Sequence, residues 1–211
     1  MSPSASNDVA KSAPLGSVRE AQKQLTRQRL ITAARAAFER NGFAGTSVRD
    51  ITAAAEVNRA TFYLHYEDKT QIFLDVLKQV LDVETASFWR TLDGALVEGS
   101  LESIRSWLDV AMVWYLDHSA FVNAWNEAML VDSAVSQNWR ASMDRLEAQL
   151  SGYLSQFPEA DRVRARLVVE FNVILLSQVT MKHMDGGIPL DRRELLDILA
   201  GMWHRGLAVE K

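Results

Sequence analysis

Cysteine is absent from all 211 residues, which removes disulfide bonds and thiolate chemistry and suits a reducing compartment. Long apolar runs are missing as well. Stretches such as Phe171–Leu176, interrupted by Asn172, fall far short of the roughly 20 residues that cross a bilayer as a helix. The N-terminus carries no apolar signal segment, so a cytoplasmic chain that is neither exported nor anchored in a membrane is expected. Strand-like alternation and internal repeats are wanting, and there is no Gly-rich phosphate loop and no nucleophile elbow. His118, His183 and His204 share no metal-ligand spacing. Asp117-His118-Ser119 suits a helix boundary better than a triad, because consecutive residues on a helix point apart. No catalytic residue, metal or cofactor is therefore expected.

Positive charge is scarce overall, with a net charge of -4, but it is concentrated. Residues 19–70 hold nine Lys and Arg against six Asp and Glu, while residues 71–211 hold 13 against 20. A basic module on an acidic body can still bind a polyanion, since phosphate attraction is short-ranged at cellular salt. Residues 1–20 are rich in Ser and Ala, include Pro3 and Pro14, and lack apolar periodicity. They read as a disordered tail whose end, with Arg19, Lys23 and Arg27, can reach phosphates.

What is present is helix-forming pattern, most informatively in residues 58–69. Phe62 and Tyr66, four apart, point into a core, which leaves Arg59, Ala60, Thr61, Tyr63 and His65 facing outward. Those outward groups suit base edges and phosphates. Asn58 caps this short helix, and Asp68 with Gln71 starts the next one. Upstream, Leu30, Ile31, Ala34 and Phe38 recur at helical spacing and Asn41-Gly42 supplies a stop. Ser47-x-x-Asp50 then opens a second helix with Val48, Ile51 and Ala55 on one side. Helix, stop, short helix, tight turn and short helix make a helix-turn-helix over residues 21–68, whose last member enters the major groove of DNA.

At this point the chain resembles the tetracycline-repressor (TetR) family of bacterial regulators. The resemblance rests on Ile31-x-x-Ala34-x-x-x-Phe38, Asn41-Gly42-Phe43, Thr46-Ser47-Val48-Arg49-Asp50-Ile51 and Thr61-Phe62-Tyr63-x-His65-Tyr66-x-x-Lys69. It implies that Arg49, Arg59, Ala60 and Thr61 face base edges, with Asn58 beside them. It also implies that Ser47, Tyr63, His65 and Lys69 face the phosphate backbone. One position departs: the family usually has glycine where Glu56 stands, and a positive φ there would cost a non-glycine residue ~1 kcal/mol.

Residues 69–211 read as an all-α body of about six helices: a connector from Lys69 to about Leu92, then 100–117, 118–131, 135–157, 161–184 and 191–209. The last two are apolar around much of their circumference, which calls for a second buried face. The resemblance implies a homodimer through helices 161–184 and 191–209, with Leu199 placed on the outward stripe. A two-fold dimer sets two recognition helices about one DNA turn apart. Aromatic residues crowd the body, and Trp107, Trp114, Trp125 and the polar Asn172 are candidates for lining a pocket for a hydrophobic or amphipathic effector. The expected function is a ligand-responsive DNA-binding repressor, released from a palindromic operator by a small molecule through movement of the connector helix. A ligand-independent DNA binder and a helical enzyme are the alternatives, the first marked by a filled body and the second by turnover without DNA.

Overall fold

The computed structural model describes residues 15–81 and 86–207, with eleven helices and no strand among them. The first, α1 (Leu15–Asn41), already includes residues 15–20, which the sequence reading had placed in a tail. It stops at Gly42, whose φ of +72° is open to glycine and whose N–H donates to the Phe38 carbonyl at 2.9 Å.

The helix-turn-helix follows as α2 (Val48–Ala54) and α3 (Arg59–Tyr63), each started by the cap its sequence announces. The Ser47 hydroxyl accepts from the Asp50 N–H, and the Asp50 carboxylate returns a bond to the Ser47 N–H at 2.9 Å. Asp68 caps α4 (Lys69–Gln79) by accepting from the Gln71 N–H at 2.8 Å. Residues 82–85 lie outside the described residues, and α5 (Ala86–Glu98) resumes after them, carrying Gly94 inside it rather than at its end. The rest of the body is α6 (Leu101–Asp117), α7 (Ser119–Val131), α8 (Ser133–Gln149), the single turn α9 (Ser151–Leu154), α10 (Glu159–Met184) and α11 (Arg192–Gly206). The Asp191–Glu194 capping box forms at the start of α11. His118 closes α6, one ring nitrogen lying 2.8 Å from the Trp114 carbonyl, so it serves as a helix boundary.

Two buried clusters organise these helices. One packs α5, α6, α9, α10 and α11 around Trp107, Tyr153, Val169, Leu176, Leu199 and Trp203. The other joins the head to the body. Phe38 from α1, Ile51 from α2, Phe62 from α3 and Phe73 from α4 share it with Phe121, Ala124, Trp125 and Ala128 from α7. Phe73 is its hub, with its ring centroid 4.9 Å from Phe38, 5.0 Å from Phe43 and 5.8 Å from Phe121. This core runs without a break across residues 68–69, where the sequence pattern divides head from body.

Candidate nucleic-acid interface

Burial of Phe62 and Tyr66 fixes the rotation of α3. The opposite side then has to face out. Arg59 and Ala60 are exposed, and Tyr63 is 57% exposed with its ring edge against Phe62 at 5.4 Å. Arg49 is exposed on α2. These four are exposed together, and no partner among the described residues occupies either guanidinium.

Several other predicted contacts carry local structure. Asn58 Oδ1 accepts from the Thr61 N–H at 2.7 Å and from the Thr61 hydroxyl at 3.0 Å, so two residues read as DNA contacts satisfy each other at the start of α3. The Ser47 hydroxyl donates to Asp50 at 2.6 Å, and that bond and the Ser47 N–H hold the Asp50 carboxyl below its usual range. His65 is half-buried beside Tyr66, and burial first, then Lys23 and Arg27, lower its pKa below the ordinary 6.5.

Lys69 departs most from its expected role. Its ammonium donates to the carbonyls of Phe43 at 2.8 Å and Thr46 at 3.1 Å, and sits 4.5 Å from the centre of the Phe43 ring. A cation with its donors spent on the α1–α2 turn fastens that turn to α4 and is not free for phosphate. The sequence offered no signal for this, because the two carbonyls lie more than 20 positions upstream.

Glu56 sits in the left-handed region at φ +54°, alone in this among described non-glycine residues. The positive φ that the usual glycine there implies is therefore present. Arg29 from α1 braces the same turn by donating to the Ala55 carbonyl at 2.9 Å, with Glu56 itself 3.7 Å away. The Glu56→Gly variant should gain up to about 1 kcal/mol, since glycine removes the backbone penalty and that exposed ion pair is worth little. Glu56→Ala keeps the penalty and should gain nothing. Thermal melts of the two variants side by side separate backbone strain from charge; equal melting temperatures would show that the turn is not strained.

In the body, a cavity of about 110 Å³ is lined by Tyr115 of α6, Trp125, Asn126 and Met129 of α7, and Val173, Ile174, Ser177 and Gln178 of α10. Of the four residues expected at a pocket, Trp125 lines it. Trp107 is buried against Trp203, ring centroids 5.3 Å apart, and Trp114 stacks on His118 at 4.5 Å. Asn172 donates to the Val168 carbonyl one turn back at 2.8 Å, the backbone bond that satisfies a half-buried amide within its own helix. Ser177 was missed because helix rotation, not residue type, decides which hydroxyl meets the cavity. The Tyr115 hydroxyl is pushed to a higher pKa by burial, so it stays protonated and able to donate.

Leu199 is 2% exposed and belongs to the body core, so it is not on an outward stripe. The outward apolar residues of the last two helices are Phe171, 62% exposed, and Val163, Ile174 and Met184 on α10, with Ile198, 49% exposed, and Met202 on α11. Leu195, Leu196 and Leu199 face inward, and the position between, Ile198, faces out.

A capped helix-turn-helix with a free polar face, packed on an all-helical body, defines a DNA-binding class of fold. Residues 30–76 match the bacterial regulatory proteins of the tetR family. The chain is 34% identical over 79 residues to the transcriptional repressor DhaR of a Mycobacterium species, covering 37% of this chain and 38% of that one. It is 28% identical over 153 residues to the transcriptional repressor NicS of Pseudomonas putida, covering 70% of this chain and 68% of that one. Its matches thus span well under half the length of the first curated relatives. The fold is similar to that of a TetR-like transcriptional regulator from a Rhodococcus species, with a TM-score of 0.57, 23% identity, and 88% and 97% of the two chains covered. None of the helices is long and apolar enough to cross a membrane among the described residues.

Proposed function

We propose that this protein is a ligand-responsive DNA-binding transcriptional regulator, a repressor that leaves a palindromic operator when a small hydrophobic molecule occupies its body. The carrying observation is the α3 face of Arg59, Ala60 and Tyr63, held outward by the burial of Phe62 and Tyr66. The names of the relatives, all transcriptional repressors, support the direction of control.

Arg59→Ala tests the reading. Loss of a base-edge donor should cost ~1 to 3 kcal/mol on the preferred sequence, selected from a random pool, and much less on unrelated DNA. An equal loss on both would make Arg59 a phosphate contact. His65 adds a pH signature. A nearby DNA phosphate favours its protonated form, so affinity should rise as the pH falls through and below about 6.5, the range of a histidine. The His65→Gln variant should lose that rise; a rise of the same size in the variant would remove His65 from the interface.

The effector reading rests on the cavity around Tyr115, Trp125, Met129, Ile174 and Ser177. Ligand sites usually occupy several hundred Å³. A cavity of about 110 Å³ must widen to hold an effector, which fits a ligand that prefers a body conformation other than this one. A homodimer through the exposed apolar residues of α10 and α11 supplies the two recognition helices that a palindrome requires.

A further inference from the structure

The α1–α2 turn is gripped at a single residue from two directions. The Phe43 carbonyl accepts from Lys69 of α4 at 2.8 Å, and the Phe43 N–H donates to the carboxylate of Glu127 on α7 at 2.7 Å. The second bond spans 84 positions. Gly42 makes it possible: a Cβ there would stand 2.6 Å from Glu127 Oε2, so any other residue would push the carboxylate off the turn. A further bond, from the Thr70 hydroxyl to Asp132 at 2.6 Å, joins the start of α4 to the end of α7.

The same helix forms a wall of the cavity. Trp125, Asn126 and Met129 line it, while Phe121, Ala124, Trp125 and Ala128 pack into the core shared with the DNA head. Trp125 therefore belongs to both, and Glu127 lies two residues from it. A tightly packed core transmits displacement rather than absorbing it, so an α7 moved from the cavity side carries Glu127 with it.

We propose that Glu127 is a positioning residue: its bond to the Phe43 amide is the relay by which the state of the cavity sets the placement of the helix-turn-helix, through α7 rather than along the connector α4. The relay rests on the effector reading of the cavity given above. Stretching the bond frees the turn that precedes α2, and α2 and α3 then lose their fixed register with the body.

The test needs no effector. Ser177→Phe overfills the cavity from α10, a wall other than α7. DNA selected from a random pool reports affinity, and hydrogen exchange at the Phe43 amide reports the bond. In the natural chain Ser177→Phe should speed that exchange and weaken DNA binding about tenfold, the worth of one hydrogen bond to a charged group. Glu127→Ala should do the same, and adding Ser177→Phe to it should weaken binding no further. Glu127→Gln, which keeps an acceptor oxygen and the side-chain length, should recover part of the loss and provides a folded variant if the alanine chain is unstable. If the Ser177 and Glu127 losses multiply in the double variant, or Phe43 exchange ignores Ser177→Phe while DNA binding falls, the cavity controls the head by another route and the relay is overturned alone. If Ser177→Phe leaves DNA binding intact, the effector reading of the cavity falls and the relay falls with it.

Discussion

Replacing Phe171 and Ile198 together by Glu is expected to give a folded monomer that no longer holds a palindromic site. Both side chains are large, apolar and about half exposed or more, one on each of the last two long helices. Two charges there disfavour burial against a second copy without disturbing a core that neither residue enters. Loss of one half-site from a two-site complex removes most of the affinity, roughly a hundredfold or more, because the second contact is held at high effective concentration. Leu199→Glu is the contrasting variant. At 2% exposure in the core with Trp203 and Leu196, its charge has no route to solvent, and it should unfold the body rather than separate subunits. Sedimentation with circular dichroism checks both; a Phe171/Ile198 variant that sediments as a dimer would place the interface on another surface.

Lys69→Ala is expected to cost about 2 to 3 kcal/mol of stability, the range for hydrogen bonds to a charged group that leaves its acceptors unpaired. The carbonyls of Phe43 and Thr46 lose their shared donor and the Phe43 ring loses its cation. DNA affinity should fall through loosening of the turn, with the slope of log affinity against log salt unchanged, since no phosphate contact is removed. Lys69→Arg should keep the charge and part of the bonding. Denaturant melts and a salt titration decide it. Full stability with a flatter salt slope would return Lys69 to the phosphate backbone.

The residues that the linear pattern could assign are those whose role is set by near neighbours. Ser47 with Asp50, Asp68 with Gln71 and Asp191 with Glu194 are caps written in three-residue spacings, and each forms, as does the cap at Asn58. Phe62 and Tyr66, one helical turn apart, had to share a face, and from their burial the outward side of α3 follows. The positive φ at Glu56 was signalled only by the resemblance, whose usual residue there is glycine.

Long-range partnership was not legible. Lys69 reads as a free cation until the chain brings the Phe43 and Thr46 carbonyls to it. Glu127 carries no sequence signal at all, and its meaning comes from Phe43, 84 positions away. The burial of Leu199 beside an exposed Ile198 depends on how α11 is rotated against α6 and α10, a rotation of about 100° per residue that an apolar pattern covering most of a helix leaves open. The sequence by itself determined the all-helical class, the caps and the outward side of α3, because those rest on periodicity and short spacings. Only the tertiary structure decided which charges are spent internally, which aromatic residues enclose a cavity and which apolar residues stay exposed, because these depend on the packing of helices far apart in the chain.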